Sequence, residues 1–187
     1  MKIDTTRQAR SIVGDRPEGR PIGDFYPTPE RATLALLDKE IFYGGIWECA
    51  CGNGAISKVL KDEGYKVDSS DLYDRGYGRI GIDFLNETEL RKPNIITNPP
   101  FTIAVEFMEH AINLGCDKLA LLCKLAFLEG VKRSVKLENS PLKNVYVFRK
   151  RLLMTRNGEK PRGSGMIAFA WYIWEKDYDG FPMIGWI

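Results

Sequence analysis

Glu48-Cys49-Ala50-Cys51-Gly52-Asn53-Gly54 follows the apolar pair Ile46-Trp47 and precedes a segment with helical spacing. This stretch decides the fold. It reads as the end of a strand over 46–50, a glycine turn, and a helix over 54–63 that Gly64 ends. Glycines at such a turn let backbone approach a ligand closely and leave helix N-terminal amides free to bind it. A short strand over 65–70 follows and puts Asp71 at its end. Gly52-x-Gly54-x-x-Ser57 with an acid about 20 residues on nearly matches a nucleotide-binding fingerprint. A paired-glycine turn alone fits an ordinary loop equally well.

Outward from that turn, strands and helices alternate. Upstream, Thr28 is expected to cap a helix over 29–39, with Pro29 at its first position. Downstream, strand signals fall at 79–82 and 94–97, and a helix over 102–114 closes at Gly115. Leu119-Ala120-Leu121-Leu122-Cys123 is a continuous apolar run, as in a strand buried on both faces. A helical stretch comes next, then Pro141, then strands at 145–148 and 166–174. The expected architecture is a doubly wound, Rossmann-like α/β sheet, mostly parallel, with an antiparallel C-terminal hairpin at one edge. Residues 1–23, rich in Arg, Asp, Gly and Pro, read as a flexible arm, and 24–187 as one domain.

At 187 residues and a net charge of +2, the chain suits one core and shows no global commitment to a polyanion. It carries no apolar run of membrane-spanning length and no secretory h-region, so a cytoplasmic location is expected. Cys49, Cys51, Cys116 and Cys123 lie in or beside apolar stretches and read as buried thiols. With His110 as the one histidine, neither a metal site nor imidazole catalysis is expected.

The second constellation is Asn98-Pro99-Pro100-Phe101, between an apolar strand and a helix. Two prolines fix the backbone and leave carbonyls that no local N–H competes for. Asn98 offers an amide oxygen and Phe101 a ring face. Two acceptors and a stacking surface suit a planar group bearing an exocyclic NH2. The alternative is a rigid turn with a core phenylalanine.

Taken in order, Phe25-Tyr26-Pro27-Thr28-Pro29, Glu48-x-x-x-Gly52-x-Gly54, Asp71, Asp83 and Asn98-Pro99-Pro100-Phe101 resemble the class I N6-adenine DNA methyltransferases. The chain is similar in particular to compact phage-type members, over residues 24–187. The resemblance implies S-adenosylmethionine as cofactor. It implies that Tyr26, Thr28, Glu48, Cys49, Ala50, Gly52 and Gly54 surround its methionine part. Asp71, with Leu72, would hold the ribose. Asp83 would accept from the adenine amino group, with Phe84 or Leu85 packing nearby. Asn98, Pro99, Pro100 and Phe101 would be the catalytic set, and Asn98→Ala would abolish turnover with cofactor affinity nearly unchanged.

Two features depart from that family. Cys49 stands where many relatives have proline, and the chain is expected to lack a separate target-recognition domain. Relatives with Asn-Pro-Pro-aromatic motifs methylate guanine amino groups in RNA or glutamine amides in proteins, and these remain alternatives, as does a non-catalytic binding module. DNA is the expected partner, with a second protein as a source of specificity. Arg151, Arg156, Lys160 and Arg162, with Arg149 and Lys150, form a basic segment interspersed with glycines that would contact phosphates. Lys132, Arg133 and Lys136 are a second basic group. A nicotinamide-dependent oxidoreductase would use the glycine turn and Asp71 but leaves Asn98-Pro99-Pro100-Phe101 unexplained.

Overall fold

Three parallel strands carry the first half of the sheet: Ile46–Glu48 (β1), Val67–Asp71 (β2) and the two-residue Arg79–Ile80 (β3). This computed structural model describes residues 25–154 and 167–187. Asn94–Thr97 (β4) pairs with the other edge of β1, and Lys118–Lys124 (β5) continues beyond it, both parallel. Phe169–Glu175 (β7) then runs antiparallel between β5 and Leu142–Val147 (β6). Among the described residues the eight strands, the last being Met183–Trp186 (β8), are ordered β3-β2-β1-β4-β5-β7-β6-β8. This is the Rossmann-like, mostly parallel sheet with antiparallel C-terminal strands that the sequence suggests.

One expectation needs correction. The β6–β7 pair is antiparallel, but it is not the sheet edge. Met183–Trp186 (β8) adds to β6 in parallel and forms the edge instead. Its side chains are mostly exposed, so no burial-driven alternation marks it in the sequence. β6 also starts directly after Pro141, three residues before the expected boundary.

Helices cover both faces. Glu30–Leu37 (α1) and Ala55–Asp62 (α2) pack on one side, with Leu36, Ile56 and Leu60 meeting Ile46, Ile96 and Leu122. Ala104–Asn113 (α3) and Val131–Glu138 (α4) lie on the other, where Phe107, Met108 and Leu137 meet Trp47, Leu119 and Trp174. Alternation along β5 divides it between the two cores: Leu119, Leu121 and Cys123 point to one, Ala120 and Leu122 to the other. Burial on both faces explains why this strand reads as an unbroken apolar run.

The start of α1 also differs from expectation. Pro29 occupies the cap position, extended at φ −59° and ψ 136°, and no side chain caps the helix. Thr28 lies one residue before the cap, and its hydroxyl accepts from the Asn98 amide.

Candidate active site

β1 leads on to β2 in one direction across the sheet, whereas β4, on the other side of β1, leads to β5. Beyond the carboxyl ends of strands at such a reversal, a crevice opens. A cavity of about 260 Å³ lies there. Its wall comes from the strap Phe25–Thr28, the glycine turn, Asp71–Tyr73, Ile82–Phe84, and Asn98 with Pro100.

Strand alternation aims Glu48 toward α2, away from the core that takes Trp47. Gly54 sits at the cap position of α2 and has no side chain to offer its free amides. Glu48 supplies the missing cap from the strand: its Oε2 accepts from the Ser57 N–H at 2.8 Å and from the Ser57 hydroxyl. Ser57 Oγ also lies 2.6 Å from Ser69 Oγ. Burial pushes the Glu48 carboxyl up to about 8, and the neighbouring Asp71 adds to this against the lowering effect of the Ser57 bonds.

Gly52 and Gly54 have φ of +53° and +79°, in the left-handed region. A Cβ on Gly52 would run into the Phe25 ring, and one on Gly54 into the Tyr77 ring. Space and backbone both require glycine here. Asp71 fastens the turn: its Oδ2 accepts from the Gly52 N–H at 2.8 Å and its Oδ1 from the Tyr73 N–H at 2.8 Å. Each carboxylate oxygen keeps a lone pair for a further donor. Leu72 lies half-exposed on the cavity wall.

Asp83 caps a short 3-10 turn, accepting from the Leu85 N–H at 3.1 Å and the Asn86 side-chain amide at 2.9 Å. Phe84 is buried behind it, edge-on to Trp47 with ring centroids 5.2 Å apart. Cys49 and Cys51 line the same cavity and are buried and free, as are the other two cysteines. Burial pushes the Cys51 thiol up to about 12, so it stays protonated.

Asn98 ends β4. Its Nδ2 donates to the Tyr26 carbonyl and to Thr28 Oγ1, each at 3.1 Å. Those two bonds fix which end of the amide faces the strap. The opposite atom, Oδ1, is buried and accepts from no group among the described residues. A buried amide oxygen left without a donor costs about 1–3 kcal/mol, so the arrangement holds an acceptor in reserve at the cavity wall. The Pro100 carbonyl is already used by the Ile103 N–H at 3.1 Å.

The remaining expected residues fall differently. Pro99 is buried, and neither it nor Phe101 belongs to the cavity lining. The Phe101 ring stacks on Tyr26 at 6.0 Å between centroids and tilts against Phe169. Arg151 lies beyond β6, outside the lining, where its backbone carbonyl accepts from the Arg31 guanidinium at 2.6 Å. Arg156, Lys160 and Arg162 lie outside the described residues. The structure therefore gathers Tyr26, Thr28, Glu48, Cys49, Ala50, Gly52, Asp71, Leu72, Asp83, Phe84, Asn98 and Pro100 around one cavity. Gly54 is not part of the lining and lies against the Tyr77 ring.

Sequence reasoning did not assign Ser57 to Glu48, Phe25 to Gly52, or any role to Lys124. Lys124 had a usable signal: it ends an apolar strand at the carboxyl side of the sheet, where α/β folds place ligand-binding groups.

No protein-family model matches the chain, and no curated protein matches it. Solved structures do. A modification subunit assigned to a type I restriction enzyme from Vibrio vulnificus aligns over 97% of this chain and 49% of its own, with a TM-score of 0.59 and 14% identity. A protein from Pyrococcus horikoshii assigned as an RNA methyltransferase aligns over 82% and 88%, with a TM-score of 0.61 and 16% identity. The methyltransferase subunit of a type I restriction-modification system from Streptococcus thermophilus aligns over 81% and 45%, with a TM-score of 0.57 and 13% identity. The chain spans about half the length of the two restriction-system subunits. At these identities the likeness is one of fold: this chain has the Rossmann-like sheet on which these methyltransferase structures are built.

Proposed function

We propose that this chain is an S-adenosylmethionine-dependent methyltransferase that methylates an exocyclic amino group, adenine N6 in DNA. One observation carries the reading. Asn98 is held by its amide nitrogen, while its buried Oδ1 lacks a donor at the wall of the cavity. An NH2 group presented there would supply one.

The cavity's side chains fit the cofactor. Asp71 beside Leu72 would hold the ribose hydroxyls, and Asp83 the adenine amino group with Phe84 as a wall. Gly52 and Gly54, with Tyr26 and Thr28, would surround the methionine part, and Glu48 holds the turn in shape through α2. When bound, the cofactor supplies an electrophilic methyl group on a positively charged sulfur.

The chain's own contribution is placement. Asn98 Oδ1 would accept one amine proton and, although Pro99 lies outside the cavity lining, its carbonyl the other, drawing both to one side. That favours a pyramidal nitrogen whose lone pair is withdrawn from the ring π system, in which delocalisation otherwise makes it a poor nucleophile. The attacking nitrogen is neutral, so no general base need act before attack. The cationic methylated nitrogen gives up its extra proton to solvent afterwards, and alignment provides much of the rate. In a duplex the base must first leave the stack, at a cost of about a few kcal/mol. A second protein would add sequence specificity.

RNA is the second reading. It is favoured by the Pyrococcus horikoshii protein, whose size matches this chain more closely than do the restriction-system subunits. Incubation with methyl-labelled S-adenosylmethionine and, separately, duplex DNA, single-stranded DNA, RNA and cell protein tests both. Label recovered as N6-methyladenine from DNA, and lost in Asn98→Ala, supports the leading reading. Label in RNA alone moves the reading to RNA, and cofactor binding with no label anywhere overturns the enzyme assignment.

A further inference from the structure

Lys124 is the last residue of β5, and strand alternation sets it on the opposite face from Cys123. That is the face of Phe101, Phe169 and Leu152. Its ammonium lies 4.9 Å from the centre of the Phe101 ring, three residues along the chain from Asn98. The residue is only partly exposed. Among the described residues its ammonium pairs with no carboxylate, unlike Lys118, Lys136 and Lys143. A half-buried cation held only against a ring has donors left over.

The sheet places further positive charge on the same side. Lys124 pairs in register with Phe169, and Val147 of β6 pairs with Ala170, the next residue of β7. β6 and β5 both run antiparallel to β7, so the chain leaves β6 at the end of the sheet where β5 terminates. Arg149 and Lys150 follow there and are exposed.

We propose that Lys124, against Phe101 where β5 ends beside the loop that carries Asn98, binds the phosphodiester adjoining the nucleotide whose amino group is methylated, and so selects a nucleic acid over a protein amide. The inference rests on the methyltransferase reading above. A glutamine side chain offers the same planar NH2 to Asn98 but brings no anion with it. A phosphate offers charge-assisted acceptors to an ammonium.

The test uses the full chain and synthetic DNA and RNA oligonucleotides. Each is made with normal phosphodiesters or with neutral methylphosphonates flanking the target base. Folding and S-adenosylmethionine affinity of each variant are measured alongside. Lys124→Ala should raise KM for the normal oligonucleotide about tenfold with little change in kcat, and Lys124→Arg should restore most of it. The salt dependence of log KM should lose about one unit of slope. Methylphosphonate should weaken the wild type by a similar factor and leave Lys124→Ala nearly indifferent.

Equal losses for Lys124→Ala on charged and neutral backbones would overturn the proposal, as would an unchanged KM or a preference for glutamine peptides. DNA and RNA arms report which polymer carries the phosphate. If the folded wild type binds S-adenosylmethionine yet methylates no polymer, the underlying enzyme reading fails and the inference with it.

Discussion

The side-chain nitrogen of Asn98 donates to the hydroxyl of Thr28 at 3.1 Å, tying the loop after β4 to the strap before α1. The same nitrogen also reaches the Tyr26 carbonyl at 3.1 Å. Asn98 therefore does two things: it keeps its own buried oxygen without a donor and it holds down part of the cavity wall.

The first prediction follows from that double role. Asn98→Ala should lose turnover and also weaken S-adenosylmethionine binding, because Tyr26 and Thr28 lose their anchor. This differs from the expectation of unchanged affinity drawn from the motif. Thr28→Val, which removes one acceptor and keeps the shape, should lower kcat about tenfold, equivalent to one hydrogen bond of about 1.4 kcal/mol. Isothermal titration of cofactor beside steady-state rates separates the two effects. Unchanged affinity in Asn98→Ala would show that the strap stands without it.

Gly52 and Gly64 provide a matched pair. Both have left-handed φ, +53° and +86°, but only at Gly52 does a new Cβ meet another group, the Phe25 ring. Gly64→Ala should cost about 1–2 kcal/mol from backbone strain alone. Gly52→Ala should cost more and should also displace Phe25 from the cavity wall, weakening cofactor binding at least tenfold. Denaturant melts and cofactor titrations of both variants measure the difference. Equal behaviour would mean that Phe25 moves aside freely.

Glu48 should leave a signature in the pH dependence of stability. Its carboxyl is pushed from 4.5 to about 8 by burial. The folded state thus binds more protons than the unfolded chain between these values, and stability falls as pH rises through that window. The total change is on the order of a few kcal/mol. Glu48→Gln keeps the size and the neutral form, so it should flatten that part of the profile. Urea melts at pH 5, 6, 7 and 8 check the slope, and a wild-type slope retained in the variant would assign it to other groups.

Asp71 can be tested by its fastening role. Asp71→Asn turns one oxygen that accepts from Gly52 or Tyr73 into an amide donor facing an amide donor. The buried clash should cost about 1–3 kcal/mol, and the loosened turn should weaken S-adenosylmethionine binding. A variant with wild-type stability but reduced affinity would assign Asp71 to the ligand alone.

Much of the sheet was legible because burial leaves a pattern. β4 occupies the four residues expected of it, and β5 extends its apolar run by one residue at each end. β8 was not legible. Its exposed side chains carry no burial signal, and its place at the edge depends on pairing with a strand about 40 residues earlier in the chain. Thr28 was misread as a cap because the sequence shows what lies next to a hydroxyl in the chain, and its actual partner is Asn98.

By itself, the sequence determined the order of elements as far as β7 and the positions of the glycine turn, Asp71, Asp83 and the Asn-Pro-Pro-Phe loop. Periodicity and the conformational limits of glycine and proline act over a few residues and can be read locally. Tertiary structure alone decided that the Asn98 amide nitrogen is partnered while its Oδ1 is left without a donor, that Glu48 caps α2 through Ser57, that Phe25 lies over Gly52, and that Lys124 comes to rest on Phe101. These contacts depend on strand order and on which face each side chain takes, and hydrogen bonding and packing between distant segments settle both only once the sheet has closed.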